Sequence, residues 1–129
     1  MKTVQITEIP KFDEVMKEQV ETGNPVFAVF LSDIDPETKQ YWCPDCVQAD
    51  PYIKKALSNV ENAILVECFV GPKSGYKNVP THPYRVHPQV QLKAIPTIMF
   101  WNKDGPAKKL IIETIEQCET LDDFVKSCI

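Results

Sequence analysis

The run Val26-Phe27-Ala28-Val29-Phe30-Leu31 contains no polar residue. It has the length of a strand and lacks the alternation of a strand with one wet face. Such a segment is buried on both sides, as in the interior of a parallel or mixed sheet covered by helices. Ala63 to Val70 is a second apolar strand, Thr97 to Trp101 a third and Lys109 to Thr114 a fourth. The turn Asn102-Lys103-Asp104-Gly105 joins the last two into a hairpin. Helical spacing of apolar residues appears at Phe12, Val15, Met16 and Val20, and Gly23-Asn24-Pro25 ends that helix. A second helix runs from Pro44 to Val60, with Pro51 as an expected kink. A short helix is expected around Gln89 to Lys93. A last one starts at Thr120 as N-cap, with apolar positions Leu121, Phe124, Val125 and Cys128. With a further strand before the first helix, the order is β-α-β-α-β-α-β-β-α. Parallel crossovers followed by an antiparallel hairpin give an α/β fold, a mixed central sheet flanked by helices on both faces.

The 129 residues suffice for a single domain, residues 1–129. A net charge of −4 argues against nucleic acid or an anionic membrane as a partner. No apolar run approaches membrane-span length, and Met1 to Ile6 has no signal-peptide core, so the expectation is a cytoplasmic protein. In a reducing compartment, Cys-x-x-Cys reads as redox-active or metal-binding.

Cys43 and Cys46, in Trp42-Cys43-Pro44-Asp45-Cys46, are that motif. Cys43 falls where a helix begins, and unpaired N–H groups and the helix dipole stabilise a thiolate there. Cys43 is then the nucleophile toward a disulfide, and Cys46 resolves the mixed disulfide. Pro44 and Asp45 suit a first helical turn by themselves. Asp45 also has a tuning reading: its charge raises thiol pKa while the helix start lowers it, and the signs oppose. His82 and His87 show an H-x4-H spacing, but Cys46 and His82 are far apart in the chain and no second Cys-x-x-Cys exists, so no metal is expected. Trp42 either shapes the surface beside the sulfur or packs under the loop. Cys68 and Cys128 read as buried hydrophobes, and Cys118, between acidic neighbours, as exposed and suppressed. Lys73, Lys77 and Arg85 read as a solvated face, attraction of an anionic substrate being the alternative.

The order of elements, with Cys-x-x-Cys between a strand and its helix, resembles the thioredoxin fold. Pro51 lies where thioredoxins kink their active-site helix, and Ala94-Ile95-Pro96-Thr97-Ile98-Met99-Phe100 resembles their cis-proline strand. The stretch from Trp42 to Pro51, the loop Ser32 to Tyr41 before it, and Cys68-Phe69-Val70-Gly71 are similar to the thioredoxin domain-containing protein 17 family. That resemblance implies a cytosolic protein-disulfide reductase with a redox-active Cys43–Cys46 disulfide and no bound cofactor. Its electrons would come from NADPH through thioredoxin reductase. Its substrates would be small disulfides such as cystine and selected protein disulfides. It also implies a cis bond before Pro96 that faces the cysteines and frees the backbone of Ile95 to pair with substrate, which makes Trp42, Ile95 and Pro96 the substrate-binding residues. Thioredoxins place a buried acid in the first long strand, and alignment puts Ala28 there, leaving Asp45 or water to take the Cys46 proton. Two alternatives remain open. A glutaredoxin would use glutathione, but its Gly-Gly pair is missing, Gly105 being the only glycine beyond the proline strand. A non-catalytic interaction module would commonly have lost a cysteine, and both are present.

Overall fold

A computed structural model describes residues 1–129. Five strands form one sheet in the order β1-β3-β2-β4-β5, comprising β1 (Lys2–Ile6), β2 (Val26–Leu31), β3 (Ile64–Phe69), β4 (Thr97–Asn102) and β5 (Gly105–Ile111). β1 and β2 run parallel to β3, whereas β4 is antiparallel to both β2 and β5. The sheet is therefore mixed, and all six residues of β2, inside it, are buried. The long helices are α1 (Phe12–Glu21) and α2 (Pro44–Ser58). Two short ones, α3 (Lys73–Tyr76) and α4 (Pro83–Val86), lie in the connection from β3 to β4. α5 (Ile115–Glu119) and α6 (Leu121–Cys128) end the chain.

Alternation along β2 divides the core in two. Phe27, Val29 and Leu31 pack with Cys46, Ala49, Ile53 and Leu57 of α2 and with α5 and α6. Ala28 and Phe30 pack on the opposite face with Phe12 and Met16 of α1 and with Tyr76 and Tyr84 of the connection. Phe12 is the hinge of that second layer, its ring 5.3 Å from Tyr84, 5.4 Å from Trp101 and 5.9 Å from Phe30.

Several elements depart from the sequence reading. No helix forms over residues 89–93, where His87 Nδ1 instead accepts the N–H groups of Gln89 and Val90 and holds a turn. β5 starts at Gly105, earlier than its apolar residues suggest, because pairing with β4 continues to the turn through a bulge at Phe100/Trp101. Pro51 sits within α2, which continues unbroken to Ser58. α5 was not anticipated, although Thr114 and Gln117 make a reciprocal capping box at its start. Thr120 precedes α6 but caps nothing with its side chain, since its hydroxyl donates backward to Glu116 O at 2.9 Å.

Phe12→Ala should cost about 3–5 kcal/mol, the usual penalty for emptying an aromatic site in a packed core. Urea unfolding measures it, and a loss below about 1 kcal/mol would contradict this packing.

Candidate active site

Cys43 occupies the N-cap of α2 in extended conformation, and Pro44 takes the first helical position. No side chain caps this end. Backbone N–H groups of Asp45 and Cys46 face the Cys43 sulfur instead. Cys43 is 8% exposed and Cys46 is fully buried, and both thiols are free. Pro44 and Asp45 are exposed.

Two thiols this close do not ionise alike. Cys43 is drawn down to about 7, chiefly because the Cys46 thiol donates a hydrogen bond to it, with the Cys46 and Asp45 N–H groups helping against burial. The Asp45 carboxylate pushes the other way and is the smallest of these influences. The helix start therefore outweighs the charge that the sequence set against it. Cys46 is pushed strongly up, first by holding its proton against Cys43 and then by burial, while Ser32 pulls it down through its N–H and hydroxyl.

Ser32 was not singled out from sequence. It is fully buried at the end of β2, and its hydroxyl accepts the Cys43 N–H at 3.2 Å. A serine closing an apolar strand just before the motif loop was the available signal. That loop is tied to Gly71 at the end of β3. Asp33 Oδ1 accepts the Gly71 N–H at 3.0 Å, and Gly71 O accepts Trp42 Nε1–H at 3.0 Å and the Asp33 N–H at 3.4 Å. Gly71 has φ of +98°, which a side chain would strain. Between these ties the loop closes on itself through an Ile34–Tyr41 bridge.

Trp42 is both packed and site-lining. Its indole is anchored to Gly71 and tilted on Tyr76 with ring centroids 6.2 Å apart, yet it shares a cleft of about 340 Å³ with Cys43, Pro44 and Ile95. Cys43 Sγ lies 3.7 Å from Ile95 O, and the buried Pro96 follows through a cis peptide bond. Lys73, Lys77 and Arg85, read from sequence as a solvated face, stand on this same cleft. A larger cavity, about 530 Å³, lies between α1 and the β4–β5 turn and reaches neither thiol.

Ala28 belongs to the α1 side of the sheet, so an acid there would point away from Cys46. The β2 positions on the Cys46 side are Phe27, Val29 and Leu31. Acids do stand on that side elsewhere. Asp50, one turn along α2 from Cys46, accepts the Tyr41 hydroxyl at 3.0 Å and pairs with Lys54 at 3.1 Å. Glu67, 4% exposed, pairs in register with Val29 and accepts Gln5 Nε2–H at 3.1 Å. A charge interrupting a buried strand, and an acid four residues after a cysteine, were the overlooked signals.

Cys118 is buried, contrary to the expectation of exposure, because α5 turns it toward the α2 core. Burial raises its pKa, as it does for Cys68 and Cys128. The ring nitrogens of both histidines are committed within the protein. His82 Nε2 is 2.6 Å from Val70 O and His87 Nε2 is 2.7 Å from Asp13 Oδ1, while each Nδ1 accepts a backbone N–H. No helix is long and apolar enough to cross a membrane.

Comparison with known proteins places this geometry in context. Residues 5–127 match the thioredoxin domain of the thioredoxin domain-containing protein 17-like family. The thioredoxin-like protein Clot of Arabidopsis thaliana is 36% identical, the match covering 78% of this chain and 71% of that protein. Thioredoxin domain-containing protein 17 of Mus musculus is 35% identical, covering 84% of this chain and 81% of its own. The reduced thioredoxin pre-protein of Schistosoma mansoni superposes over the whole of both chains with a TM-score of 0.65 at 14% identity, a likeness of fold.

The alkylation rate of Cys43 should rise with pH through a midpoint near 7. Cys46→Ala removes the main stabilising donor and should move that midpoint up toward the ordinary thiol value of about 8.5. Asp45→Asn should move it down by a few tenths to one unit, the exposed carboxylate being well screened. A wild-type midpoint of about 8.5 would contradict the thiol asymmetry.

Proposed function

From its membership of the thioredoxin domain-containing protein 17-like family, to which this chain belongs, we propose that it is a protein-disulfide reductase working through Cys43 and Cys46. The observation that carries the reading is the unequal pair: a thiol lowered to about 7 at a helix start, with a second thiol buried behind it and held protonated. The Cys43 thiolate attacks one sulfur of a substrate disulfide, joins it, and expels the other as a thiolate. Cys46 then loses its proton and attacks Cys43 Sγ. A Cys43–Cys46 disulfide forms and the second substrate thiolate leaves. Ser32 favours the thiolate that Cys46 must become. Two electrons restore the dithiol, and the reading assigns them to NADPH through thioredoxin reductase, with no cofactor bound to this chain and a cytoplasmic setting. Pro44 and Asp45 set the helix start, and Trp42, Ile95 and Pro96 border the substrate.

Small disulfides such as cystine, and selected protein disulfides, are the substrates. The support is steric, because the 32–42 loop and the connection carrying α3 and α4 both meet at the rim beside Trp42.

Cys46→Ser should accumulate a stable mixed disulfide on Cys43, and Cys43→Ser should abolish turnover. Trapping on Cys43→Ser alone would reverse the roles. Thioredoxin reductase with NADPH should re-reduce the protein and glutathione should not, the opposite result favouring a glutaredoxin. Insulin should react more slowly than cystine, and comparable rates would overturn the steric argument.

A further inference from the structure

The cleft beside Cys43 carries a charge opposite to that of the chain. The protein has a net charge of −4, yet four residues lining this cleft of about 340 Å³ are basic, Lys73, Lys77, Arg85 and Lys93, and none is acidic. All four lie in the connection between β3 and β4, irregularly spaced over residues 73–93, and the fold gathers them on one cleft beside Cys43.

None of the four is neutralised by a partner. The ion pairs of the molecule are Lys11 with Glu8 and Lys54 with Asp50, and Asp13 faces the His87 ring. Arg85 is held in place by backbone, donating to Lys93 O at 3.1 Å and Tyr76 O at 3.3 Å, with its guanidinium 4.0 Å over the Tyr76 ring. That leaves Arg85 ordered at low entropic cost and still carrying an uncompensated charge. Tyr76 lines the same cleft, and its buried hydroxyl has no hydrogen-bond partner.

We propose that this cleft is a carboxylate-binding subsite, which makes the protein selective for small organic disulfides carrying a carboxylate within a few bonds of the sulfur attacked. The proposal rests on the reading of Cys43 as nucleophile toward disulfides. The volume is at the small end for ligand sites and accepts half of such a disulfide with its carboxylate. The basic groups raise the local concentration of an anion, and they also ease expulsion of a departing thiolate. The first effect depends on the charge of the substrate, and the second acts on every disulfide.

The test uses pre-reduced protein in single turnovers, without a reductase. The probes are three disulfides of similar size: 3,3′-dithiodipropionate with two carboxylates, neutral 2-hydroxyethyl disulfide, and cystamine with two ammonium groups. Each rate of Cys43–Cys46 disulfide formation is divided by the rate of the same compound with dithiothreitol, which removes intrinsic reactivity. At low salt the expected order is dithiodipropionate, hydroxyethyl disulfide, cystamine, with about tenfold between the first two, contracting at high salt. Lys73→Gln with Lys77→Gln should lower the anionic-to-neutral ratio about two- to five-fold for each lysine removed. Lys77→Glu should raise the relative rate of cystamine, a gain that a merely damaged fold does not produce. Equal normalised rates, or rate ratios unchanged in both variants, would overturn the subsite while leaving the reductase reading intact. If none of the three oxidises the pair, the reductase reading itself falls, and the subsite with it.

Discussion

β2 has no side that faces water, and the position of the thiols follows from that. Phe27, Val29 and Leu31 require α2 over them, while Ala28 and Phe30 require α1 and the connection on the other face. With both faces committed, the end of β2 is fixed to within a hydrogen bond, and Ser32 stands there holding the Cys43 N–H. β3, parallel and adjacent, ends beside it at Phe69, and Gly71 just beyond accepts the indole N–H of Trp42. The site thus lies outside the carboxyl ends of two parallel strands, where helix starts and strand ends converge in α/β sheets. The loop from Asp33 to Tyr41 hangs from those two points and closes on itself.

The asymmetry of the thiols is a competition between hydrogen bonds and burial. At Cys43 the donors win: the Cys46 thiol and two N–H groups outweigh desolvation and the Asp45 charge. At Cys46 the same hydrogen bond works in reverse, since giving up its proton would forfeit it, and burial adds to the effect. One contact lowers one sulfur and raises the other.

Elements whose signal is local were legible in the sequence. The unbroken apolar run of β2, the 3.6-residue spacing of α1 and the Asn102–Gly105 turn each point to one structure, and the motif with Pro44 at its first turn fixes the start of α2. What was missed depends on tertiary placement. Cys118 looks exposed among Glu116, Gln117 and Glu119, but a capped turn of helix rotates it inward. Ala28 aligns by sequence with a family acid, yet the two-residue period of the strand decides which face it reaches, and an alignment offset by one residue changes the face. Lys73, Lys77 and Arg85 are visible in the sequence as basic residues of one connection, but the fold alone sets them with Lys93 beside Cys43. Residues 89–93 carry apolar positions and still form only a single turn capped by His87, because Gln91 takes a positive φ of 45° and ends it.

Five cysteines in 129 residues would ordinarily invite scrambling. Here Cys46, Cys68, Cys118 and Cys128 all have raised pKa values, and only Cys43 is lowered. Toward an oxidant or an electrophile the molecule therefore behaves as a monothiol near neutral pH, with its remaining sulfur held in reserve as protonated, sheltered groups. Wrong pairings are suppressed at their first step, nucleophilic attack, and the fold holds no structural disulfide that would compete with pairing of Cys43 and Cys46.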